Sequence, residues 1–559
     1  MKLRSLFYTG AAPLAMSGAA LVAALLAAAS AQAADHRGGT LHAVAVSSSG
    51  TLDPQINYTT QYWQLYQSVY DGLLAFKKTD GTAGTEIVPD LVTTLPVVSD
   101  GGKTLTVTLR KGITFANGKE LTTADVVASF QRIFKISGPT AGSFYNVLVG
   151  ADACLKTPDT CTLDGGVVAD EATGTITFHL TDADPEFLDK LAIPHAAILP
   201  ADTPAKDMGN TPIPGTGAYS FTAYDPNKAL KLERNPHFKQ WSADAQPDGY
   251  PDVIDYTFGL TDEAGVTAIE NGQADWMYDP PPADRLGELS SKYPKQLHVS
   301  PLAAYYYISF NVNMEPFNNE KARLAVNYAI DRNALVKIYG GPQTAAPTCQ
   351  NLPPNFPGYS AYCPFTKEGS TKYAGANMAK AKELMKESGK AGAEVALLTE
   401  DNTMWKNMGG YVQSVLTELG FKVSLKPMSH ATEFTYIQNT NNKVQVSLTD
   451  WFQDYPAPSD FLNVLFGCSS FHPASDASPN IAGFCDKEVE AKIQNALTVA
   501  VTDPVKANTL WADVDKAIVD KAPSAPLFNP KQIDFVSTKV GNYHFQPVFQ
   551  SMLTQEWVK

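Results

Sequence analysis

At 559 residues the chain is longer than one ordinary domain, and 44% hydrophobic with 10% aromatic residues supports two or three lobes with substantial cores. Its formal charge of -14 argues against nucleic acid or an anionic membrane surface as the main partner. Internal repeats of the usual periods are absent from the sequence, which speaks against a structural or adhesion protein.

Residues 1–33 read as an export signal. Lys2 and Arg4 give a basic start, an Ala/Leu-rich stretch runs through Leu21, Leu25 and Leu26, and Ala31-Gln32-Ala33 offers a small-x-small cleavage pattern. Cleavage between Ala33 and Ala34 removes two basic and no acidic residues, moving the charge from -14 to -16. Ser17, Gly18 and Ser30 weaken the alternative of a retained anchor.

Thr40 to Val46 is strand-like and precedes Leu52-Asp53-Pro54; Tyr62 through Tyr70 carries Trp63, Leu65, Tyr66 and Val69 in a helical pattern. Aromatic residues there could line a pocket or simply pack a core, and Tyr62 is a candidate for the former. Leu105, Val107 and Leu109 alternate with threonines as in a half-buried strand, and Ile176, Phe178 and Leu180 repeat the pattern. Between them, Thr122 and Asp125 resemble a helix cap ahead of Val127, Phe130 and Phe134, so Asp125 reads as structural. Together these predict a small α+β region. Ile213 to Tyr219 specifies a turn, Ala268 to Trp276 a short helix leading into a strand, and Tyr305 to Asn311 an unusually aromatic strand. One helix is expected from Ala322 to Gly340-Gly341, with Asp331-Arg332 as a local ion pair or cap. Helices at Met378–Met385 and Tyr411–Leu419 and a strand at Val423–Leu425 give the rhythm of a second large lobe.

Six cysteines fall into three pairs close in sequence: Cys154 with Cys161, Cys349 with Cys363, and Cys468 with Cys485. Fifteen connectivities are open, and the neighbouring one is expected, in keeping with an oxidising compartment. The nine histidines are scattered without HExxH, so no metal site is expected. The chain lacks GxGxxG, a phosphate loop and a GxSxG elbow, so neither a nucleotide cofactor nor a recognisable hydrolase is implied; a secreted hydrolase remains the competing class.

Trp451-Phe452-Gln453-Asp454-Tyr455-Pro456, continued by Pro458, Asp460, Phe461 and Leu462, sets a carboxylate among aromatic and rigid residues. Such a cluster suits the cationic end of a ligand. A tight loop whose Asp caps backbone N–H groups is the alternative.

With this run the chain resembles the extracellular solute-binding proteins of peptide, dipeptide and nickel ABC transporters, solute-binding protein family 5. The resemblance covers essentially the whole mature chain through Leu52-Asp53-Pro54, Tyr70-Asp71-Gly72-Leu73, Pro89-Asp90-Leu91, Phe115-Ala116-Asn117-Gly118, Thr123-Ala124-Asp125-Val126-Val127, Gly215-Thr216-Gly217-Ala218-Tyr219, Arg234-Asn235-Pro236, Asn327-Tyr328-Ala329-Ile330-Asp331-Arg332 and Trp451 through Leu462. It implies a two-lobed α/β fold of the periplasmic-binding-protein type (type II) with an extra subdomain. Lobe I would comprise residues 34–87, 201–300 and 526–559, the extra α+β subdomain 88–200, and lobe II 301–525, with crossings near 300 and 525. It implies reversible solute capture without covalent conversion and delivery to an inner-membrane ABC permease with its ATPase subunits, by a periplasmic protein expected to be a monomer. In peptide-binding members the Asp of the Trp-x-x-Asp-Tyr segment receives the peptide's ammonium group, and its match is Asp454, with Trp451 and Tyr455 as apolar walls. Where such a member carries an Arg in the lead-in, this chain has Ser447-Leu448-Thr449-Asp450, so carboxylate anchoring and peptide length stay open. Because the scaffold also serves oligosaccharides, opines and nickel chelates, a non-peptide solute is the alternative cargo.

Overall fold

The computed structural model describes residues 36–354, 356–367, 371–476 and 478–559, and the predicted export signal lies outside them. Among the described residues no helix is long and apolar enough to cross a membrane.

Two sheets carry the lobes. The first has the strand order Trp276–Met277, Thr40–Ala45, Val253–Phe258, Ala229–Arg234, Tyr219–Asp225. Thr40–Ala45 runs parallel to Val253–Phe258, with Thr40 opposite Val253, and the last three strands are antiparallel neighbours. Ile254, Tyr256 and Phe258 alternate with more exposed residues and turn inward, as in a sheet with one covered face. The second sheet runs Leu297–Pro301, Ser524–Phe535, Ala304–Phe310, Val446–Phe452, Glu394–Glu400, Lys422–Met428, with Ala345–Pro347 added against Ser524–Phe535. Ala304–Phe310 is buried along its whole length, which explains why its tyrosines follow one another without polar alternation.

The α+β region stands as a separate four-stranded sheet, Val97–Ser99, Thr104–Thr108, Thr175–His179, Val167–Asp170, with the helix Thr123–Lys135 packed on it. Phe130 meets Phe178 edge-on at 5.1 Å. The predicted cap is present, since the Thr122 N–H donates to Asp125 Oδ2 at 2.7 Å. Asp125 Oδ1 accepts from the Ala201 N–H at 2.7 Å, so the same residue ties the helix to the chain leaving the subdomain. Gly215 and Gly217 are required by close approach, because a Cβ at either would overlap the backbone of Val69 or Ser68.

The helix expected from Ala322 to Gly340 is instead two, Glu320–Ala329 and Arg332–Tyr339. Ile330 leaves helical geometry, and Asp331 starts the second helix by accepting from the Asn333 N–H at 3.0 Å. Arg332 makes no ion pair with Asp331. It is fully buried, and its guanidinium donates to the carbonyls of Thr348 and Pro526 at 2.8 Å and of Asn327 at 3.0 Å. All three neighbouring disulfides are formed, Cys154–Cys161, Cys349–Cys363 and Cys468–Cys485.

The lobes are joined by two strands lying side by side. Leu297–Pro301 pairs antiparallel with the far half of Ser524–Phe535, from Leu297 opposite Phe535 to Pro301 opposite Lys531. The near half of the longer strand sends Ala525, Leu527 and Phe528 into the core of the second sheet, whereas Phe535 packs with Val44, Val266 and Met277 of the first.

Candidate functional site

The Trp451 run begins as a strand and ends as a helix. Trp451 lies opposite Tyr305 in the central ladder, and the Gln453 N–H continues the pairing to the Ala303 carbonyl at 2.9 Å. The chain then turns through Asp454-Tyr455-Pro456, and Pro458 opens the helix Pro458–Phe466, where its missing N–H is harmless. Asp460, in the first turn, reaches back: its Oδ2 accepts from the Asp454 N–H at 3.0 Å and from the Trp451 indole N–H at 3.4 Å. Asp460 therefore performs the capping job, and the side chain of Asp454 is left to point elsewhere.

It points to the other lobe. Asp454 Oδ2 accepts a hydrogen bond from the hydroxyl of Tyr58, which sits just before the helix Thr60–Tyr66. Asp454 is only 7% exposed. Burial pushes its carboxyl up to about 7, opposed in part by the hydrogen bonds with Tyr58 and Asp460. Burial and then the charge of Asp454 hold Asp460 well above the usual carboxylate range. Burial, followed by the Asp454 charge, also raises the Tyr58 phenol, which stays a donor.

Tyr58 is wedged between aromatic neighbours. His195 meets it edge-on at 5.0 Å, and Trp63 lies tilted at 5.5 Å. His195 is fully buried and neither ring nitrogen has a hydrogen-bond partner among the described residues. Burial holds it down to about 3, so it is neutral.

The other sequence candidates occupy different surroundings. Trp451 is buried beside Asp454, its ring 6.2 Å from Phe434. Tyr455 turns away toward the subdomain, edge-on to Phe144 at 5.7 Å and with Lys190 Nζ 5.8 Å over its ring. Lys190 is held there by Asp184 at 2.7 Å. Tyr62 is enclosed in the first lobe, its hydroxyl donating to that of Tyr224 at 2.7 Å. Gln453 adds a second link between the lobes, donating to the Pro547 carbonyl at 2.5 Å. Tyr58 on Asp454 and Gln453 on Pro547 thus join the Trp451 run to segments far from it in the sequence. Tyr58 and His195 had no local signal in the sequence, since the residue that gives Tyr58 its meaning lies 396 positions away.

The two-lobed α/β scaffold with its added subdomain is that of a solute-binding protein, and the chain belongs to the bacterial extracellular solute-binding proteins, family 5, whose middle region matches residues 86–473. It is the extracytoplasmic solute-binding component of an ABC importer. The chain is 27% identical over 517 residues to the glutathione-binding protein GsiB of Salmonella choleraesuis (strain SC-B67), covering 90% of this chain and 92% of the relative. Among solved structures it is similar to clavulanic acid biosynthesis oligopeptide binding protein 2, with a TM-score of 0.82, 25% identity, and coverage of 94% of this chain and 96% of the other. The periplasmic binding protein DppA from Helicobacter pylori, in complex with the peptide STSA, shares the fold at a TM-score of 0.80 and 21% identity, covering 95% and 99% of the two chains.

Proposed function

We propose that this protein is exported to the periplasm by residues 1–33 and captures peptides or other small solutes that carry a primary ammonium group, releasing them unchanged to its permease and ATPase partners. The observation that carries the reading is Asp454, a buried carboxylate at the seam of the two lobes whose backbone is already secured by Asp460. An ammonium entering such a seam loses its water and needs both charge and acceptors in return, which a carboxylate supplies. Trp451 forms a wall beside it. The glutathione named for the Salmonella relative and the peptide STSA bound by the H. pylori protein favour the same class. For the lobes we propose residues 34–87, 201–300 and 526–559 against 301–525, with 88–200 as the subdomain; the first sheet and the four-stranded sheet fall within these spans, whereas Leu297–Pro301 and Ser524–Phe535 belong to the second sheet and bridge the crossings.

Calorimetry on Asp454→Asn tests the assignment. Free-amine peptides should lose about 2–5 kcal/mol of binding free energy, while N-acetylated analogues hardly change. Equal losses for both classes, or a wild-type protein that responds only to sugars or nickel chelates, would remove amine anchoring.

A further inference from the structure

We propose that Tyr58 is the positioning residue that couples amine recognition at Asp454 to closure of the lobes; this rests on the reading of Asp454 given above. The two groups come from opposite sides of the seam, Tyr58 from the segment before Thr60–Tyr66 and Asp454 from the turn after Val446–Phe452. Their hydrogen bond therefore exists only when the lobes have met. It is also directional. His195 and Trp63 hold the Tyr58 ring from two sides, so the hydroxyl cannot swing freely to another acceptor.

The coupling follows from charge. A carboxylate oxygen accepts more than one hydrogen bond, so Tyr58 on Oδ2 leaves acceptor capacity for an ammonium. When an ammonium lies against Asp454 it favours the ionised carboxylate, and a phenol donates to a carboxylate roughly twice as strongly as to a neutral acid. The cargo's amine thus strengthens a bond that only the closed form possesses. A ligand drives closure solely through such a difference between states. A solute lacking the amine fills the cleft without reinforcing the latch, and Tyr58 in this way contributes to selectivity without carrying charge itself.

The test is equilibrium dialysis of wild type, Tyr58→Phe, Asp454→Asn and the double variant against an equimolar mixture of free-amine and N-acetylated tripeptide libraries, read by mass spectrometry, with far-UV circular dichroism as the check of folding. Tyr58→Phe should weaken free-amine retention about 10- to 100-fold, the range of a hydrogen bond to a charged group, and leave the acetylated set within about threefold. The double variant should be no weaker than Asp454→Asn alone, because the two residues act through one bond. If Asp454→Asn discriminates the libraries and Tyr58→Phe behaves as wild type, the coupling is overturned and the anchor stands. Equal weakening of both libraries by Tyr58→Phe would reduce Tyr58 to a cleft-shaping side chain and also overturn it. If neither substitution alters the preference, the anchor itself fails and the coupling falls with it.

Discussion

Asp454 is held in the folded protein at a cost that depends on pH. Its carboxyl stands at about 7 against an ordinary value of 3.8, with burial as the leading cause. Between those values the folded chain binds a proton that the unfolded chain has released, so this residue's contribution to stability is greatest at low pH and declines as pH rises through about 7. The groups facing it are Tyr58 from one lobe and Asp460 from its own, and the raised Asp460 acts in the same direction. Ligand-free Asp454→Asn should therefore melt higher than wild type at pH 8 and close to it near pH 4.5, as differential scanning calorimetry would show; the reverse order would contradict a buried, elevated carboxyl. Binding has the opposite slope. An ammonium needs the ionised form, so affinity for a free-amine peptide should fall as pH drops below about 7, and protons should be released on binding there. Calorimetry in buffers of different ionisation enthalpy reads that release, and Asp454→Asn should abolish it. At this scale the sequence was informative for Asp454, because an acid among tryptophan, tyrosine and proline is locally unusual. It was silent on Tyr58, whose importance is purely a matter of what lies opposite.

Single elements show where periodicity succeeds and where it stops. The strands Thr104–Thr108 and Thr175–His179 and the capped helix Thr123–Lys135 were legible, since alternation, the Thr122-to-Asp125 spacing and the Phe130 and Phe134 repeat are local properties. The break at Ile330-Asp331 was not, because the apolar repeat continues past it and the cause is tertiary. Arg332, the first residue after the break, donates to the Thr348, Pro526 and Asn327 carbonyls. Burial holds its guanidinium down to about 10, still charged at neutral pH, with the Tyr373 ring 5.3 Å away. Arg332→Met should cost about 3–5 kcal/mol, because buried acceptors lose their donors at about 1–3 kcal/mol each, whereas Asp331→Ala removes one helix cap and should cost about 1 kcal/mol. Thermal unfolding of the two variants checks the order, and a larger loss for Asp331→Ala would show that the cap, not the arginine, sets the break.

The whole molecule combines two large sheets and a smaller four-stranded one with three short disulfide loops. The disulfides span separations of 17, 14 and 7 residues. Because the chain-entropy benefit grows with the logarithm of loop length, removing Cys468–Cys485 as paired serines should cost about 3 kcal/mol, and removing Cys154–Cys161 somewhat less, by roughly 0.8 kcal/mol. Calorimetric melting of the two double variants would test that ranking, which fails if the short loop is the costlier loss. Six cysteines in close pairs made this framework readable in advance. The two-lobed plan followed from the ordered family resemblance, while the contact between Asp454 and Tyr58 needed both lobes in place.

The two connecting strands have a mechanical meaning. Leu297–Pro301 and the far half of Ser524–Phe535 are zipped together by ladder hydrogen bonds, and the longer strand has its ends embedded in different cores. Two such strands bend as one ribbon and cannot slide past each other without breaking their register. Any change in the angle between the two sheets must therefore pass through both strands together, with their pairing kept.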